Sequence, residues 1–311
     1  MKKVAFVFPG QGSQKVGMGK EMYDSSAQVK KLFDEADEAL GYSLTSLMFE
    51  GPEEELTKTE NAQPALLLVS VAIDQLLKEE GIRPAMTAGH SLGEYSALVS
   101  SGSLGSLEAL RLVHNRGKLM EEAYPSGKGA MSAVLGLSVE EIQEKLEQVD
   151  GVVNVANINC PGQIVISGDK PAVQSAGEIL QDKAKRVMPL NVSGPFHSDL
   201  MKPAADDFED HLHKATVRDA EIPVYANVTA APVTEKDEIS RLLVEQLYSP
   251  VRFQETVEAF VNEGVDAVVE IGEGKVLSGL VRKVARRMKT FQINNEESLE
   301  TFINWYREGE K

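Results

Sequence analysis

The chain has 311 residues, 42% of them hydrophobic and 26% charged, with a formal net charge of −16. This is the composition of a folded globular protein with a sizeable core in one large or two smaller domains, and its acidity excludes a general nucleic-acid binder, which must neutralise phosphates with basic residues. No apolar run reaches the length of a membrane span, the run Val4–Phe8 is too short for a secretory signal, and Cys160 is the only cysteine, so a cytoplasmic protein without internal disulfides is expected.

Val4–Phe8 reads as a buried strand, and Pro9-Gly10-Gln11-Gly12-Ser13-Gln14 as the turn before a helix that starts near Met18. Gly10 and Gly12 make a G-x-G, but Lys15 stands where a dinucleotide fingerprint needs its third glycine. No strand ending in an acidic residue follows at the usual distance, which argues against a Rossmann site. Ala65, Leu66, Val69, Ile73, Leu76 and Leu77 recur at helical spacing, predicting a core helix over 62–78 with Pro64 in its first turn.

Met86-Thr87-Ala88 has strand character, and Glu94–Ser101 can be helical. Between them Gly89-His90-Ser91-Leu92-Gly93 matches G-x-S-x-G, the sequence of a nucleophile elbow in which a sharp strand-to-helix turn presents one serine hydroxyl. The helix that follows aims its free N–H groups at the same point. The same five residues also occur by chance in glycine-rich loops, so the motif alone does not establish catalysis.

Ser106–Tyr124 is predicted as a helix with Ser106 as N-cap and Pro125 beyond its end. Arg116 interrupts a side of it that is otherwise apolar. Either its stem packs along the surface, or its guanidinium faces a closed site and awaits a planar anion such as a carboxylate.

From 127 to 194 the pattern changes to strand (130–135), helix (139–149), strand (152–158), strand (163–167), helix (172–183) and strand (186–192). That β-α-β-β-α-β order is ferredoxin-like. It predicts a small subdomain of residues 127–194 inserted into a larger α/β subdomain of residues 1–126 and 195–311, with hinges at Gly127-Lys128-Gly129 and Ser193-Gly194-Pro195. Beyond it the expected elements are a helix at 204–212, a strand at 224–228, helices at 239–247 and 254–262, a strand at 267–271 and a helix at 276–288. That last helix ends in the basic cluster Arg282, Lys283, Arg286, Arg287 and Lys289.

A serine nucleophile needs a base within hydrogen-bond reach. The histidines are His90, His114, His197, His211 and His213. His90 adjoins the serine and should point away from it, His114 lies on the Arg116 helix, and His211 and His213 sit at a polar helix end. His197, at a loop-to-helix junction after Gly194-Pro195-Phe196, is the choice by elimination.

At this point the chain resembles the malonyl-CoA:acyl carrier protein transacylases. The resemblance rests on Gly10-Gln11-Gly12-Ser13-Gln14, Asn61-Ala62-Gln63-Pro64-Ala65, Gly89-His90-Ser91-Leu92-Gly93-Glu94-Tyr95 and Arg116-Gly117. It continues through Asn157-Ile158-Asn159-Cys160-Pro161-Gly162-Gln163, Phe196-His197-Ser198, Gln246-Leu247-Tyr248-Ser249-Pro250-Val251 and Glu270-Ile271-Gly272, and spans about residues 4–290. It implies an α/β-hydrolase-like large subdomain with the ferredoxin-like insertion. It also implies transfer of malonyl from malonyl-CoA to the phosphopantetheine thiol of acyl carrier protein, for fatty-acid synthesis, through a malonyl-serine.

The resemblance makes Ser91 the nucleophile, His197 the base and then the acid, and the main-chain carbonyl of Gln246 the support of that histidine. The N–H groups of Gln11 and Leu92 would form the oxyanion hole, Arg116 would hold the malonyl carboxylate, and Gln63 and Asn159 would contact the pocket or the pantetheine. Malonyl-CoA and acyl carrier protein are then the partners, with no metal or redox cofactor, no nucleic acid, no membrane and a monomeric enzyme. Since coenzyme A and the carrier protein are both anionic, a local basic patch is needed, and Lys183, Lys185 and Arg186 or the 282–289 cluster are candidates.

Two positions depart from the family pattern. Glu273 stands where proline is expected, and Asp199 stands where a small neutral residue is commoner, close enough in sequence to raise the pKa of His197 if their side chains meet. The rival readings are a free-standing malonyl acyltransferase of a polyketide synthase and an α/β-hydrolase esterase. The esterase requires an acid between serine and histidine and an HGGG-type oxyanion loop, and no such loop is present.

Overall fold

The computed structural model describes residues 2–125 and 127–308. Strand β1 (Val4–Phe8) is followed by α1 (Lys20–Ser25), α2 (Ala27–Leu40), α3 (Leu44–Glu50), α4 (Glu53–Thr57), α5 (Thr59–Glu79) and β2 (Met86–Gly89). α6 (Gly93–Ser100) and α7 (Ser106–Glu122) lead into β3 (Gly129–Leu135), α8 (Val139–Leu146), β4 (Val153–Cys160), β5 (Gln163–Asp169), α9 (Lys170–Gln181) and β6 (Arg186–Pro189). The remainder is α10 (Lys202–Lys214), β7 (Val224–Tyr225), β8 (Pro232–Val233), α11 (Lys236–Gln246), α12 (Phe253–Asn262), β9 (Ala267–Ile271), α13 (Val276–Val284), β10 (Lys289–Ile293) and α14 (Glu296–Arg307).

The larger sheet runs β10-β9-β1-β2-β7-β8, parallel except for β8. β1 is apolar at every position because both faces of this sheet are covered. Val4, Phe6 and Phe8 enter a core with Leu66 and Val69 of α5 and Val113 of α7. Ala5 and Val7 enter the opposite core with Val257 and Phe260 of α12 and Leu277 and Leu280 of α13. Phe8 is paired with Gly89, so the loops carrying Gly10 and Ser91 leave the same edge side by side. Open α/β sheets bind ligands at that carboxyl edge.

The second sheet is antiparallel, in the order β4-β5-β3-β6. Its Val134, Ile164 and Ile166 pack with Ile142 of α8 and Val173 and Leu180 of α9. Met131, Ala133, Ala156 and Val165 join the main core on the other face. The fold is therefore α/β, with an α/β-hydrolase-like large part and a ferredoxin-like insertion. Ile158 N donates to Val251 O at 2.8 Å and Val251 N to Ala156 O at 2.9 Å, so backbone hydrogen bonds stitch the insertion to the large part.

Several elements differ from the sequence expectation. α5 begins at Thr59, which makes Pro64 its sixth residue and places it beyond the first turn. The missing proline N–H leaves Glu60 O without its helical donor, and His114 Nδ1 of α7 lies 2.9 Å from that oxygen. Gly105 occupies the N-cap of α7, so Ser106 is its first helical residue. β7 covers Val224–Tyr225 only. α13 stops at Val284, and Met288 still packs against the same core from the turn that follows, which is why the helical period reads on past the end. The sequence reading did not find β10 or α14.

α5 and α7 approach so closely that a Cβ on Gly117 would lie 2.6 Å from Thr59 O and 2.8 Å from Glu60 Cα. Gly279 in α13 has nothing within 4 Å of a built Cβ. Gly117→Ala is therefore expected to cost about 1–3 kcal/mol by overpacking. Gly279→Ala should stabilise by up to about 1 kcal/mol through helix propensity. Urea midpoints that shifted in the same direction for both variants would contradict the close crossing.

Candidate active site

Gly89 ends β2 and Gly93 opens α6, and between them Ser91 adopts a left-handed backbone with φ 52°. A Cβ on Gly89 would lie 1.8 Å from Gly93 C, and one on Gly93 2.0 Å from Phe8 O. No side chain fits either position, so the turn can be this sharp only with glycine at both. Asn227 splints it: its Oδ1 accepts from Ser91 N at 2.8 Å and its Nδ2 donates to Gly89 O at 2.6 Å.

His197 is the second non-glycine residue of the site with a positive φ, 56°. Such conformations cost free energy and persist where surrounding structure enforces them. Its Nε2 lies 2.8 Å from Ser91 Oγ and its Nδ1 2.8 Å from Gln246 O. A carbonyl only accepts, so Nδ1 carries the proton and Nε2 presents a lone pair to the hydroxyl. The ring is buried. That burial, and next the positive Arg116, push its pKa down to about 3, so the imidazole is neutral at neutral pH. A neutral imidazole on a serine hydroxyl can remove its proton during attack on a carbonyl.

Arg116 is 0% exposed. Its Nη1 donates to Gln63 Oε1 at 2.8 Å, and its Nη2 to Gln246 Oε1 at 2.9 Å and Ser91 Oγ at 3.1 Å. The guanidinium lies 5.2 Å from the centre of the Tyr95 ring. Among the described residues no carboxylate stands at ion-pair distance from it, and its Nε has no hydrogen-bond partner. Burial lowers its pKa, opposed by Tyr95 and Glu94. The acid nearest in the network is Glu94, reached through Gln246, whose Nε2 donates to Glu94 Oε2 at 2.7 Å. Burial pushes the Glu94 carboxyl up to about 7, partly offset by the hydrogen bonds from Asn227 and Gln246.

Ser91, His197, Gln11, Leu92 and Gln63 line one cavity of about 570 Å³. Among the described residues the backbone N–H groups of Gln11 and Leu92 make no hydrogen bond. Asn159 also lines the cavity, but its Oδ1 is 2.8 Å from His90 Nε2 and it shares no hydrogen bond with Ser91, His197 or Arg116. The structure thus gathers Ser91, His197, Gln246, Arg116 and Gln63 into one hydrogen-bonded network and leaves Asn159 to one side.

Asp199 does not meet His197. Its carboxylate binds Asn154 Nδ2 at 3.1 Å and Lys202 Nζ at 2.6 Å, outside the cavity, which corrects the sequence expectation. The reason is local: a short 3-10 turn over Asp199–Met201 carries the side chain away. Glu273 is buried and pairs with Lys15 Nζ at 2.7 Å, joining the loop after β9 to the loop after β1. Sequence reasoning missed Glu94, Tyr95 and Asn227. A glutamate on the otherwise uncharged GEYSALVS helix was a signal for the first; Asn227 gave none.

His197 contributes to stability with a definite sign. In the fold it stays neutral down to about 3, whereas the unfolded histidine protonates near 6.5, so between those values the unfolded state binds more protons. This contribution is complete above pH 6.5 and is lost as pH falls toward 3. Wild type should therefore lose more unfolding free energy between pH 7 and pH 4.5 than His197→Gln does. Equal losses in urea titrations at the two pH values would show that the imidazole is not held neutral.

The acyl transferase domain family matches residues 5–303. The chain is 53% identical to a malonyl CoA-acyl carrier protein transacylase of Bacillus subtilis (strain 168), over 99% of this chain and 98% of that protein. Its fold superposes with a TM-score of 0.94 on an acyl carrier protein S-malonyltransferase of Vibrio cholerae, 45% identical, covering 96% of this chain and 99% of that one. It matches equally, at 0.94 and 44% identity over 97% and 99% of the two chains, a malonyl-transacylase solved in complex with its type II PKS acyl-carrier protein. With that similarity over nearly its whole length, this chain belongs to the malonyl-CoA:acyl carrier protein transacylase family of acyltransferases.

Proposed function

We propose that this enzyme moves a malonyl group from malonyl-CoA to the phosphopantetheine thiol of acyl carrier protein, with Ser91 as the temporary carrier. The observation that carries this reading is Arg116, a buried cation without a carboxylate partner among the described residues, 3.1 Å from the hydroxyl that would be acylated. The acyl group that fits it bears its own carboxylate, two bonds beyond the reacting carbonyl.

In the first half-reaction Ser91 Oγ attacks the thioester carbonyl and His197 Nε2 takes the hydroxyl proton. The oxyanion rests on the free N–H groups of Gln11 and Leu92, a type of contact worth about 3–4 kcal/mol each in the transition state. Collapse breaks the C–S bond, and His197 returns the proton to the departing thiolate. The second half-reaction reverses these steps with the carrier thiol as nucleophile. The Gln246 carbonyl keeps His197 in the tautomer that both halves need, while Gln63 and the Gln246 side chain hold the guanidinium level with Ser91.

Ser91, His197 and Arg116 all come from one chain, which supports a monomer as the working form, and the single cysteine accords with a cytoplasmic enzyme. The division into residues 1–126 with 195–311 and residues 127–194 belongs to the same reading. Gly129 packs against Pro195, where a built Cβ would lie 2.4 Å from Pro195 Cδ, so the two connecting segments pass side by side. An esterase has no use for a buried unpaired arginine. A carrier protein of fatty-acid synthesis is the proposed acceptor; a lower KM for a polyketide carrier would assign the enzyme to that pathway instead.

Malonyl-CoA alone should add one malonyl mass to the wild type and none to Ser91→Ala. An unmodified wild type would mean a different reaction. In Arg116→Ala, malonyl transfer should fall by some hundreds- to thousands-fold, the equivalent of about 3–5 kcal/mol for a broken buried charge pair. Acetyl transfer should hold or rise. Malonyl preference that survived this substitution would remove the role given to Arg116.

A further inference from the structure

Among the described residues Glu94 is the only carboxylate joined to Arg116 through a single side chain, and none of the steps above uses it. It is the second residue of α6 and is buried. Asn227 N donates to its Oε2 at 3.0 Å, and Gln246 Nε2 donates to the same oxygen at 2.7 Å. Among the described residues no hydrogen bond ends on Oε1, so that oxygen can take a proton without breaking either bond.

Glu94 decides which way the Gln246 amide faces. A carboxylate only accepts, so it draws Nε2 to itself and leaves Oε1 turned to Arg116 Nη2, 2.9 Å away. The reversed amide would set an oxygen against Glu94 and a nitrogen against the guanidinium, and both contacts would be repulsive.

The charges of Arg116 and an ionised Glu94 sum to zero in the empty site. A malonyl carboxylate on Arg116 adds one negative charge where water is excluded and a net charge is costly. One solvent proton bonding to Glu94 Oε1 returns the sum to zero, with no change to the bonds of the acyl group. Burial already holds this carboxyl up to about 7, and Arg116 is among the groups that hold it down, so a carboxylate on Arg116 drives it higher.

The other groups facing the cluster do not change charge near neutrality. His197 stays neutral down to about 3, burial lowers His90, and burial raises Tyr95. Asp74 of α5 is held at the far end of α6 by Ser100 Oγ and Lys78 Nζ, each at 2.7 Å. His114 of α7 faces Glu60 O, and Tyr225 of β7 packs on Phe260 in the opposite core. Arg252, whose backbone N–H binds Asn227 O, is paired with Glu255. β1 and β2 carry no ionisable side chain.

We propose that Glu94 positions Arg116 for the acyl carboxylate and balances its charge: it holds the Gln246 amide with the oxygen on the guanidinium, and takes up one solvent proton when a malonyl group binds there. This rests on the malonyl-transfer reading above. Glu94 is a positioning residue, since it reaches the acyl group only through Gln246 and Arg116.

The test uses wild type and Glu94→Gln, which keeps one oxygen for both donors and imitates the protonated acid. Loading of Ser91 from malonyl-CoA and from acetyl-CoA is followed from pH 6 to pH 8.5. Proton uptake is read with an indicator dye in weak buffer at pH 7, where coenzyme A leaves as the neutral thiol. In wild type, kcat/KM for malonyl loading should fall about tenfold across that range, because enzyme with ionised Glu94 resists a second negative charge. Acetyl brings no charge, so its profile should be flat. In Glu94→Gln the malonyl profile should be flat as well. Wild type should take up about half a proton for each malonyl-serine formed, and the variant none. A purely structural Glu94 would lower both substrates alike and leave the profiles unchanged. Matching malonyl and acetyl profiles in wild type, no proton uptake, or uptake that persists in Glu94→Gln would each overturn the proposal. The two wild-type measurements decide it even if the variant does not fold. A wild type that forms no malonyl-serine would instead defeat the malonyl-transfer reading, and this proposal with it.

Discussion

Arg116 sits wholly inside the protein as a cation with no carboxylate of the described residues at ion-pair distance, and much of the site is arranged around that fact. An isolated charge in an apolar interior is costly, and this one is tolerated because Gln63, Gln246 and Ser91 accept its hydrogen bonds while Tyr95 lies against its face. These partners are neutral, so they satisfy the donors without cancelling the charge. Glu94 is one amide further away, and burial holds its carboxyl up to about 7, so it balances the guanidinium only in part near neutrality. The electrostatic deficit that remains is the basis of the proposed choice of a carboxylate-bearing acyl group.

Gln246 couples this charge to Ser91. Its side-chain oxygen accepts from Arg116, its amide nitrogen donates to Glu94 and to Ser91 O at 3.1 Å, and its backbone oxygen accepts from His197. One residue at the end of α11 thus touches the serine turn, the imidazole and the guanidinium. A carbonyl takes the place that a carboxylate fills in Ser-His-Asp sites. With Arg116 already close, a second buried charge beside His197 would change the balance of the whole cluster. A neutral acceptor fixes the tautomer without doing so.

The geometry is held by steric exclusion as much as by hydrogen bonds. Gly93 lies so close to Phe8 O, and Gly89 to Gly93, that the serine turn is pressed against the end of β1. Gly117 lets α7 approach α5, which brings Arg116 of α7 to Gln63 of α5. The insertion then closes the remaining side through Asn157 and Asn159 of β4 and Leu190 beyond β6. Each wall comes from a different part of the chain, and their common meeting point is the carboxyl edge of β1 and β2.

Much of this was written in local sequence. The glycines of the turn, the β-α-β-β-α-β order and the apolar period of α5 are short-range patterns, and each is set by the sterics or burial of neighbouring residues. Arg116 showed itself as a misfit because a helix face has a period against which a charge stands out. Chain folding from afar decided the rest. The Gln246 oxygen that accepts from His197 and the N–H groups of Gln11 and Leu92 belong to the main chain, so no side-chain identity marks them. Asn227 reaches Gly89 and Ser91 across more than a hundred residues, and Asp199 turns away from His197 despite being two positions from it. Sequence alone determined most of the elements and which residue types are available for chemistry, because those depend on near neighbours. Only the tertiary structure decided which of them meet, because hydrogen-bond partners and the burial of a charge depend on distances in space.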